Sequence, residues 1–194
     1  MIKENIIQEA KKIQGWMKDN ELAALYDLTR EYVQKGEAAL EVGSWKGRSS
    51  YVIAQACKEN GARLICVDTF TGSENNEAHY QEAADMGASE FMEKYIKKYL
   101  AGLPVEYVVK NSLQAHADFP DNTYPLVFID GNHCDPVISQ DLDNYWPKTK
   151  SGGLFACHDY AQVCPDVIKA VDRKFNDLKN FRVYESIITF KKPF

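Results

Sequence analysis

The chain has 194 residues, with 45% hydrophobic and 26% charged side chains, which is typical of one soluble globular domain. A formal net charge of −5 and the lack of a basic tract argue against a nucleic-acid partner. No uncharged apolar run approaches the ~20 residues of a membrane span. Five cysteines without a C-x-x-C pair favour a reducing compartment. We therefore expect a single cytoplasmic domain over residues 1–194, with no nucleic-acid or membrane partner.

The first 36 residues carry two helical patterns. Apolar residues recur at helical spacing over Ile6–Met17 and again over Leu22–Val33. Asp19 or Asn20 is suited to cap the second helix. The chain therefore opens with two helices before any strand.

Five short apolar runs then follow, and they are continuous rather than alternating. Such runs are typical of strands buried on both faces of a parallel sheet, and the stretches between them are long enough for helices. The strands are predicted at Ala38–Gly43, Arg63–Asp68, Val105–Lys110, Pro125–Asp130 and Gly153–His158.

The end of the chain reads differently. A helix is predicted over Pro165–Leu178, and two strands, Phe181–Glu185 and Ile187–Lys191, follow with almost no gap. Strands so close in sequence can pair only as an antiparallel hairpin. The pattern predicts an α/β fold whose seven-stranded, mostly parallel sheet is closed by this hairpin.

Residues 71–100 form the longest interval between two strands. Gly72–Asn76 is polar and loop-like, whereas Glu90–Leu100 has a helical pattern with Phe91, Tyr95 and Tyr99 four residues apart. We interpret this aromatic stripe as core packing rather than ligand contact. The interval is an insert that could serve as a substrate lid.

Polar residues stand at the ends of four predicted strands. The carboxyl ends of parallel strands share one edge of the sheet, where ligands bind at the topological switch point. A site is therefore expected from the residues at Glu41–Ser49, Asp68, Asp130–His133 and His158–Asp159.

The first of these motifs contains two glycines. Gly43 lets the chain turn sharply off its strand, and Gly47 lets a ligand or the next helix approach the backbone. Their G-x-x-x-G spacing differs from the G-x-G-x-x-G of dinucleotide binders and from the P-loop. Asp68 could accept hydrogen bonds from both ribose hydroxyls of a nucleoside, or it could cap the segment after its strand.

Taken in order, four segments resemble a class I S-adenosylmethionine-dependent methyltransferase with a Rossmann-like fold. They are similar in particular to methyltransferase family 24 and to the catechol O-methyltransferase type. The segments are Leu40–Ser49, Val67–Phe70, Leu126–His133 and Ser151–Asp159.

The resemblance implies a cofactor site for S-adenosylmethionine. Asp68 would hold the ribose, Asn111 or Ser112 would approach the adenine, and Asp130 would lie beside the sulfonium and the substrate. The glycine motif would hold the methionine end through Glu41, Gly43 and Ser49, with Ser44, Trp45 and Gly47 also at the cofactor.

The resemblance also raises a metal site. Catechol-type relatives bind Mg²⁺ with an acid after the fourth strand and an Asp-Asn pair after the fifth. Here Asp130 matches the first acid, and His158-Asp159 stands at the pair. Imidazole suits zinc, iron or nickel better than Mg²⁺. In one alternative, Asp130 and Asp159 hold Mg²⁺ with waters and His158 points elsewhere. In another, His158 selects a different divalent metal. With no metal, Asp159 would cap the next loop.

Two further readings involve the histidines. His133 and Cys134, with Cys157 and His158, could form a tetrahedral zinc set, although adjacent strand residues point to opposite faces. His133 lies three residues beyond Asp130, at the offset of the catalytic lysine in the catechol type. His133 could therefore act as general base beside Asp130, or it could be a loop histidine bonded to backbone.

The expected function is methyl transfer to a small-molecule hydroxyl, with an amine as second choice. A nicotinamide-dependent oxidoreductase is the first alternative, disfavoured by the glycine spacing and the closing hairpin. A nucleoside-binding domain without catalysis is the second. Oligomeric state stays open, with a homodimer as one option, and the acceptor is not written in the sequence.

Overall fold

The structure is a computed structural model that describes residues 2–72 and 77–194, with side chains at all of these except 77–80. Seven strands form one sheet: β1 (Ala38–Val42), β2 (Arg63–Asp68), β3 (Val105–Val109), β4 (Tyr124–Ile129), β5 (Thr149–Cys157), β6 (Phe181–Tyr184) and β7 (Ile187–Lys191).

The strand order in the sheet is β3-β2-β1-β4-β5-β7-β6. Every pairing among β1 to β5 is parallel, whereas β7 runs antiparallel to both β5 and β6. This arrangement confirms the predicted Rossmann-like sheet with its closing hairpin. The order reverses between β1 and β4, which is the switch point where a ligand site is expected.

Helices cover both faces of the sheet. They are α1 (Lys3–Ala10), α2 (Asp19–Tyr32), α3 (Arg48–Asn60), α4 (Glu77–Phe91), α5 (Lys98–Leu100), α6 (Ser112–Ala115), α7 (Val137–Tyr145) and α8 (Pro165–Phe175). A π-helical turn, Met92–Lys97, joins α4 to α5, and 3₁₀ turns lie at His116–Asp118 and Trp146–Lys148. Within the described residues, no helix is both long and apolar enough to cross a membrane.

Strand residues alternate between two hydrophobic cores. In β4, Leu126 and Phe128 face the core that the N-terminal helices and α3 complete, whereas Val127 and Ile129 face the core beneath α7 and α8. All six residues of β4 are buried, because both faces of the sheet are covered. The continuous apolar runs of the sequence have this origin.

The first helix is shorter than predicted. Helix α1 ends at Ala10, yet Ile13 and Met17 are 1% and 5% exposed. The guanidinium of Arg48 donates hydrogen bonds to the carbonyl oxygens of Ile13 (2.7 Å) and Met17 (3.0 Å), which a continuing helix would not present to it. The segment from 11 to 18 is therefore held by tertiary contacts, which override its helical periodicity.

The insert also differs from the prediction. Its helical part begins at Glu77 rather than Glu90, and Gly87 (φ 72°) interrupts the helical backbone within α4. The aromatic stripe packs as expected: Phe91 is fully buried, and Tyr95 and Tyr99 pack against the same core. Residues 73–76 of the predicted loop lie outside the described residues.

Candidate active site

A cavity of about 780 Å³ opens at the carboxyl ends of β1, β2 and β4. Most of the predicted site residues line it, and two do not: Glu41 and Gly47 lie behind the wall. The predicted residues on the wall are Gly43, Ser44, Trp45, Ser49, Asp68, Asn111, Ser112, Asp130, His133, His158 and Asp159.

Gly43 makes the turn from β1 in a space that no side chain could enter. Its φ is +89°, and a Cβ atom there would lie 2.1 Å from the carbonyl oxygen of Asp130. The positive φ strains any residue with a side chain, and the carbonyl oxygen leaves no room for a Cβ atom, so both features favour glycine. The glycine turn and the end of β4 are thereby brought into direct contact.

Gly47 serves packing in this structure. Its φ is +91°, and its Cβ position faces Ile96 and Leu100 at 3.3 and 3.4 Å. The glycine thus lets the start of α3 approach the insert. The sequence offered a ligand or the next helix, α3, as the group that approaches this glycine, whereas the structure has the insert there.

Asp68 is tied to the glycine turn by its carboxylate. One oxygen, Oδ2, accepts hydrogen bonds from the backbone N–H of Ser44 (2.7 Å) and Trp45 (2.9 Å), and Oδ1 accepts one from Phe70 (2.7 Å). Burial raises the pKa of Asp68, and these backbone donors oppose the rise. Because Oδ1 accepts only one of these bonds, it retains capacity for a ligand hydroxyl.

Glu41 is fully buried beneath the same turn. Its Oε2 accepts hydrogen bonds from the hydroxyls of Ser44 (2.9 Å) and Ser50 and from Cys66 Sγ (3.3 Å). Burial raises the pKa of Glu41 to about 7, although these donors act against the rise. In this conformation Glu41 organises the turn and does not reach the cavity, so its expected contact with the cofactor would require a rearrangement.

The cavity wall near β4 and β5 carries a compact cluster of acids and histidines. His158 Nδ1 lies 3.0 Å from both Asp130 Oδ1 and Asp159 Oδ2. His133 Nε2 lies 3.0 Å from Asp159 Oδ2 and 3.8 Å from Asp130 Oδ1. Asp159 has a positive φ of 58°, a strained conformation of the kind found at functional sites. The structure therefore unites all four residues predicted for catalysis or metal binding.

Electrostatics in this cluster favours the charged forms. Burial disfavours a charged ring at His133, but Asp130 and Asp159 outweigh it and raise the pKa of His133 to about 9. The pKa of His158 is raised further, since Asp130, Asp159 and Glu21 together overcome its burial. With its pKa near 9, His133 is mostly protonated at neutral pH in this arrangement, so a base role requires the neighbouring charge to change.

Glu21 was not predicted from the sequence. It lies on α2, is 2% exposed, and points Oε1 at His158 Nε2 across 3.5 Å. Burial acts to raise its pKa, but the nearby imidazole of His158 and hydrogen bonds from Ser186 and the backbone N–H of Lys18 lower the pKa of Glu21 to about 2. An acidic residue near the start of a helix is ordinarily exposed, so no sequence pattern marked this one.

The donor set formed by Asp130, His158 and Asp159 fits a divalent metal. Its three ligand atoms lie within 4.8 Å of one another. Adjacent ligands at about 2.1 Å from an octahedral metal are about 3 Å apart, which matches the 3.0 Å separations from His158 Nδ1 to the two carboxylates. Three carboxylates, Glu21 included, surround this histidine, and the negative excess also favours a cation.

The alternative tetrahedral zinc set is not formed. Cys157 is buried on the opposite side of β5, in the core beneath α7 and α8, while Cys134 is exposed. Among the described residues, neither cysteine belongs to a group of three convergent ligand atoms. The alternation of side chains along a strand separates Cys157 from His158.

The N-terminal segment, where the sequence places part of the substrate selection, supplies one wall of the cavity. Residues 14–17 line the cavity beside the glycine turn. Lys46, only 1% exposed, donates hydrogen bonds to Gln14 Oε1 (2.7 Å) and Glu82 Oε2 (2.6 Å), and its ammonium lies 4.3 Å from the centre of the Tyr95 ring. This cation joins the N-terminal segment, the glycine turn and the insert, whose lid role stays a prediction.

Residues 40–160 match the family described as a methyltransferase domain. The matched region begins at β1 and ends just after Asp159, so it contains the glycine turn and the acid–histidine cluster. It leaves out α1, α2 and the residue-14–17 wall.

Solved methyltransferases share the fold. The O-methyltransferase NovP is 17% identical, with a TM-score of 0.68 over 91% of this chain and 81% of its own. The SAH-bound methyltransferase PaMTH1 of Podospora anserina is 13% identical, with a TM-score of 0.64 over 98% and 87%. An O-methyltransferase of Bacillus cereus, also in complex with SAH, is 14% identical, with a TM-score of 0.60 over 97% and 90%.

Proposed function

Because this chain belongs to the methyltransferase domain family, we propose that it transfers the methyl group of S-adenosylmethionine to a hydroxyl oxygen of a small molecule. Family and fold confirm the prediction of a class I S-adenosylmethionine-dependent methyltransferase. The oxygen acceptor is a proposal, supported by the O-methyltransferases among the structural neighbours.

One observation carries the proposal. The glycine turn with Asp68 and the cluster of Asp130, His133, His158 and Asp159 face the same cavity. Its volume of about 780 Å³ falls within the range of small-molecule sites. If the glycine turn and Asp68 hold S-adenosylmethionine, the methyl acceptor would lie at the acid–histidine cluster.

We assign the cofactor side to the glycine turn and β2. Asp68 holds the turn in shape through Ser44 and Trp45 and keeps Oδ1 for a ribose hydroxyl. Asn111 and Ser112, after β3, line the cavity and would lie beside the adenine. The methionine end would lie at Gly43, Ser44 and Ser49.

The acceptor side belongs to the acid–histidine cluster. Methyl transfer is an in-line displacement, so alignment of the nucleophile with the methyl carbon supplies much of the catalysis. Asp130, His158 and Asp159 would hold a divalent metal, which when bound lowers the pKa of a coordinated hydroxyl. His133, at the mouth of the cluster, would take the proton from that hydroxyl. Carboxylate donors suit manganese and an imidazole donor suits iron or zinc, so we expect one of these metals rather than Mg²⁺, which prefers oxygen donors alone.

A turnover assay with radiolabelled S-adenosylmethionine tests this function. We would offer paired small acceptors that differ only in a hydroxyl or an amine, with EDTA and then with Mn²⁺ restored. The expected result is transfer to the hydroxyl member, loss on chelation and recovery with the metal. Full turnover after exhaustive chelation would show that methyl transfer does not require a metal. Binding of S-adenosylmethionine without any transfer would support the nucleoside-binding alternative, and binding of NADH instead would support an oxidoreductase.

A further inference from the structure

A buried carboxylate stands directly behind the active-site histidine. Glu21 comes from α2, outside the matched family region, and is 2% exposed. Its Oε1 lies 3.5 Å from Nε2 of His158, whose own side chain is 7% exposed. Two buried charged groups this close must act on each other, because water does not screen them.

Glu21 is itself held rigidly from two directions. Oε2 accepts a hydrogen bond from the backbone N–H of Lys18 (2.8 Å), at the start of α2. Oε1 accepts bonds from the backbone N–H (3.1 Å) and the hydroxyl (2.5 Å) of Ser186, in the turn between β6 and β7. The carboxylate therefore has a fixed place relative to the sheet.

This placement distinguishes the two ring nitrogens of His158. On one side, Nδ1 faces Asp130 Oδ1 and Asp159 Oδ2, both at 3.0 Å. On the other side, Nε2 lies 3.5 Å from Oε1 of Glu21. A carboxylate can only accept a hydrogen bond, so without a metal both ring nitrogens of His158 favour a proton. A divalent metal held by Asp130 and Asp159 would take the place of the proton on Nδ1, and Glu21 would keep the proton on Nε2.

We infer that Glu21 is the positioning residue that fixes the tautomer and ring orientation of His158, so that Nδ1 is presented between Asp130 and Asp159 as a metal ligand. The inference rests on the metal site of the proposed function. A ligating histidine whose other N–H is held by a carboxylate is more basic and better oriented, and loss of such a partner typically weakens metal binding about 10–100-fold.

Metal affinity of the whole chain tests the inference without reference to turnover. We would titrate Mn²⁺ into the wild-type protein, Glu21→Ala and Glu21→Gln by calorimetry. Glu21→Ala should bind Mn²⁺ about 10–100-fold more weakly. Glu21→Gln should recover part of the loss, because its amide oxygen can still accept the Nε2–H bond. Affinity for S-adenosylhomocysteine should stay within about twofold in all three proteins.

Ser186→Ala is the matched control. It removes the Ser186 hydroxyl bond to Glu21 but leaves the carboxylate beside His158. Mn²⁺ affinity should therefore stay close to that of the wild type. If Ser186→Ala weakened Mn²⁺ binding as much as Glu21→Ala does, the role of Glu21 would be structural and the inference wrong.

Nitrogen-15 NMR of the histidine rings gives a second readout. With Zn²⁺ bound, His158 should show a protonated Nε2 in the wild type and in Glu21→Gln. A His158 protonated at Nδ1 in the Zn²⁺-bound wild type, equal Mn²⁺ affinity in Glu21→Ala, or no divalent-metal binding by the wild type would each overturn the inference. Failure of methyl transfer itself would be seen separately, in the turnover assay.

Discussion

Replacing Gly43 by alanine should damage both stability and cofactor binding. A residue with a side chain at φ +89° costs about 1–2 kcal/mol, because its Cβ crowds the following carbonyl. The Cβ would also meet the carbonyl oxygen of Asp130 at 2.1 Å, and overpacking of this kind adds about 1–3 kcal/mol. The free energy of unfolding should therefore fall by about 2–5 kcal/mol.

Gly36→Ala is the control for that substitution. Its φ is +83°, but nothing lies within 4 Å of its Cβ position, so only the backbone cost of about 1–2 kcal/mol applies. Urea unfolding followed by circular dichroism would measure both variants, and calorimetry would measure their affinity for S-adenosylhomocysteine. Only Gly43→Ala should bind more weakly, since it displaces Asp130. Equal losses of stability in the two variants would refute the steric reasoning.

Three further substitutions test the site. Asp68→Asn should weaken S-adenosylhomocysteine binding by about 1–3 kcal/mol in calorimetry, because an amide cannot replace both carboxylate oxygens that hold the turn; unchanged affinity would contradict this. Glu41 has a folded pKa of about 7 against 4.5, so the native state retains its proton and stability should fall, by on the order of 3 kcal/mol, as pH rises from 4.5 to 7. Glu41→Gln should remove that component from urea unfolding measured across pH, and identical profiles would show that Glu41 does not titrate there. His133→Gln should lower kcat roughly 10²–10⁴-fold in the turnover assay, with cofactor affinity retained. His116→Gln is the control and should leave kcat unchanged, because His116 lies outside the cavity. If His133→Gln kept more than about a tenth of the wild-type kcat, the base role would belong to the metal.

The sheet could be predicted from the sequence because its signals are local. The continuous apolar run of β4, for example, reflects burial on both faces, and the single turn between β6 and β7 allows only one pairing. The edge that carries the site follows from the topology, so Asp68, Asp130 and Asp159 could be placed on it before their contacts were known.

The rest of the site depends on contacts between distant segments. Glu21 reaches His158 across 137 positions, and Lys46 meets Gln14 and Glu82 from opposite directions along the chain. Hydrophobic periodicity and motif spacing describe one segment at a time, so they cannot predict side-chain contacts between distant segments. The same limit explains Glu41, since its strand could be predicted but its burial beneath the hydroxyls of the turn could not.

The wall at residues 14–17 is separate from the rest of the site in the sequence. It lies before the matched family region, whereas the glycine turn, Asp68 and the acid–histidine cluster lie inside it. Arg48 anchors the backbone on both sides of this wall through the carbonyl oxygens of Ile13 and Met17, and Lys46 holds the Gln14 side chain. Under the proposed function, Trp16 is the natural first position for re-engineering the acceptor side, because it lines the cavity, is 62% exposed and lies outside the matched family region.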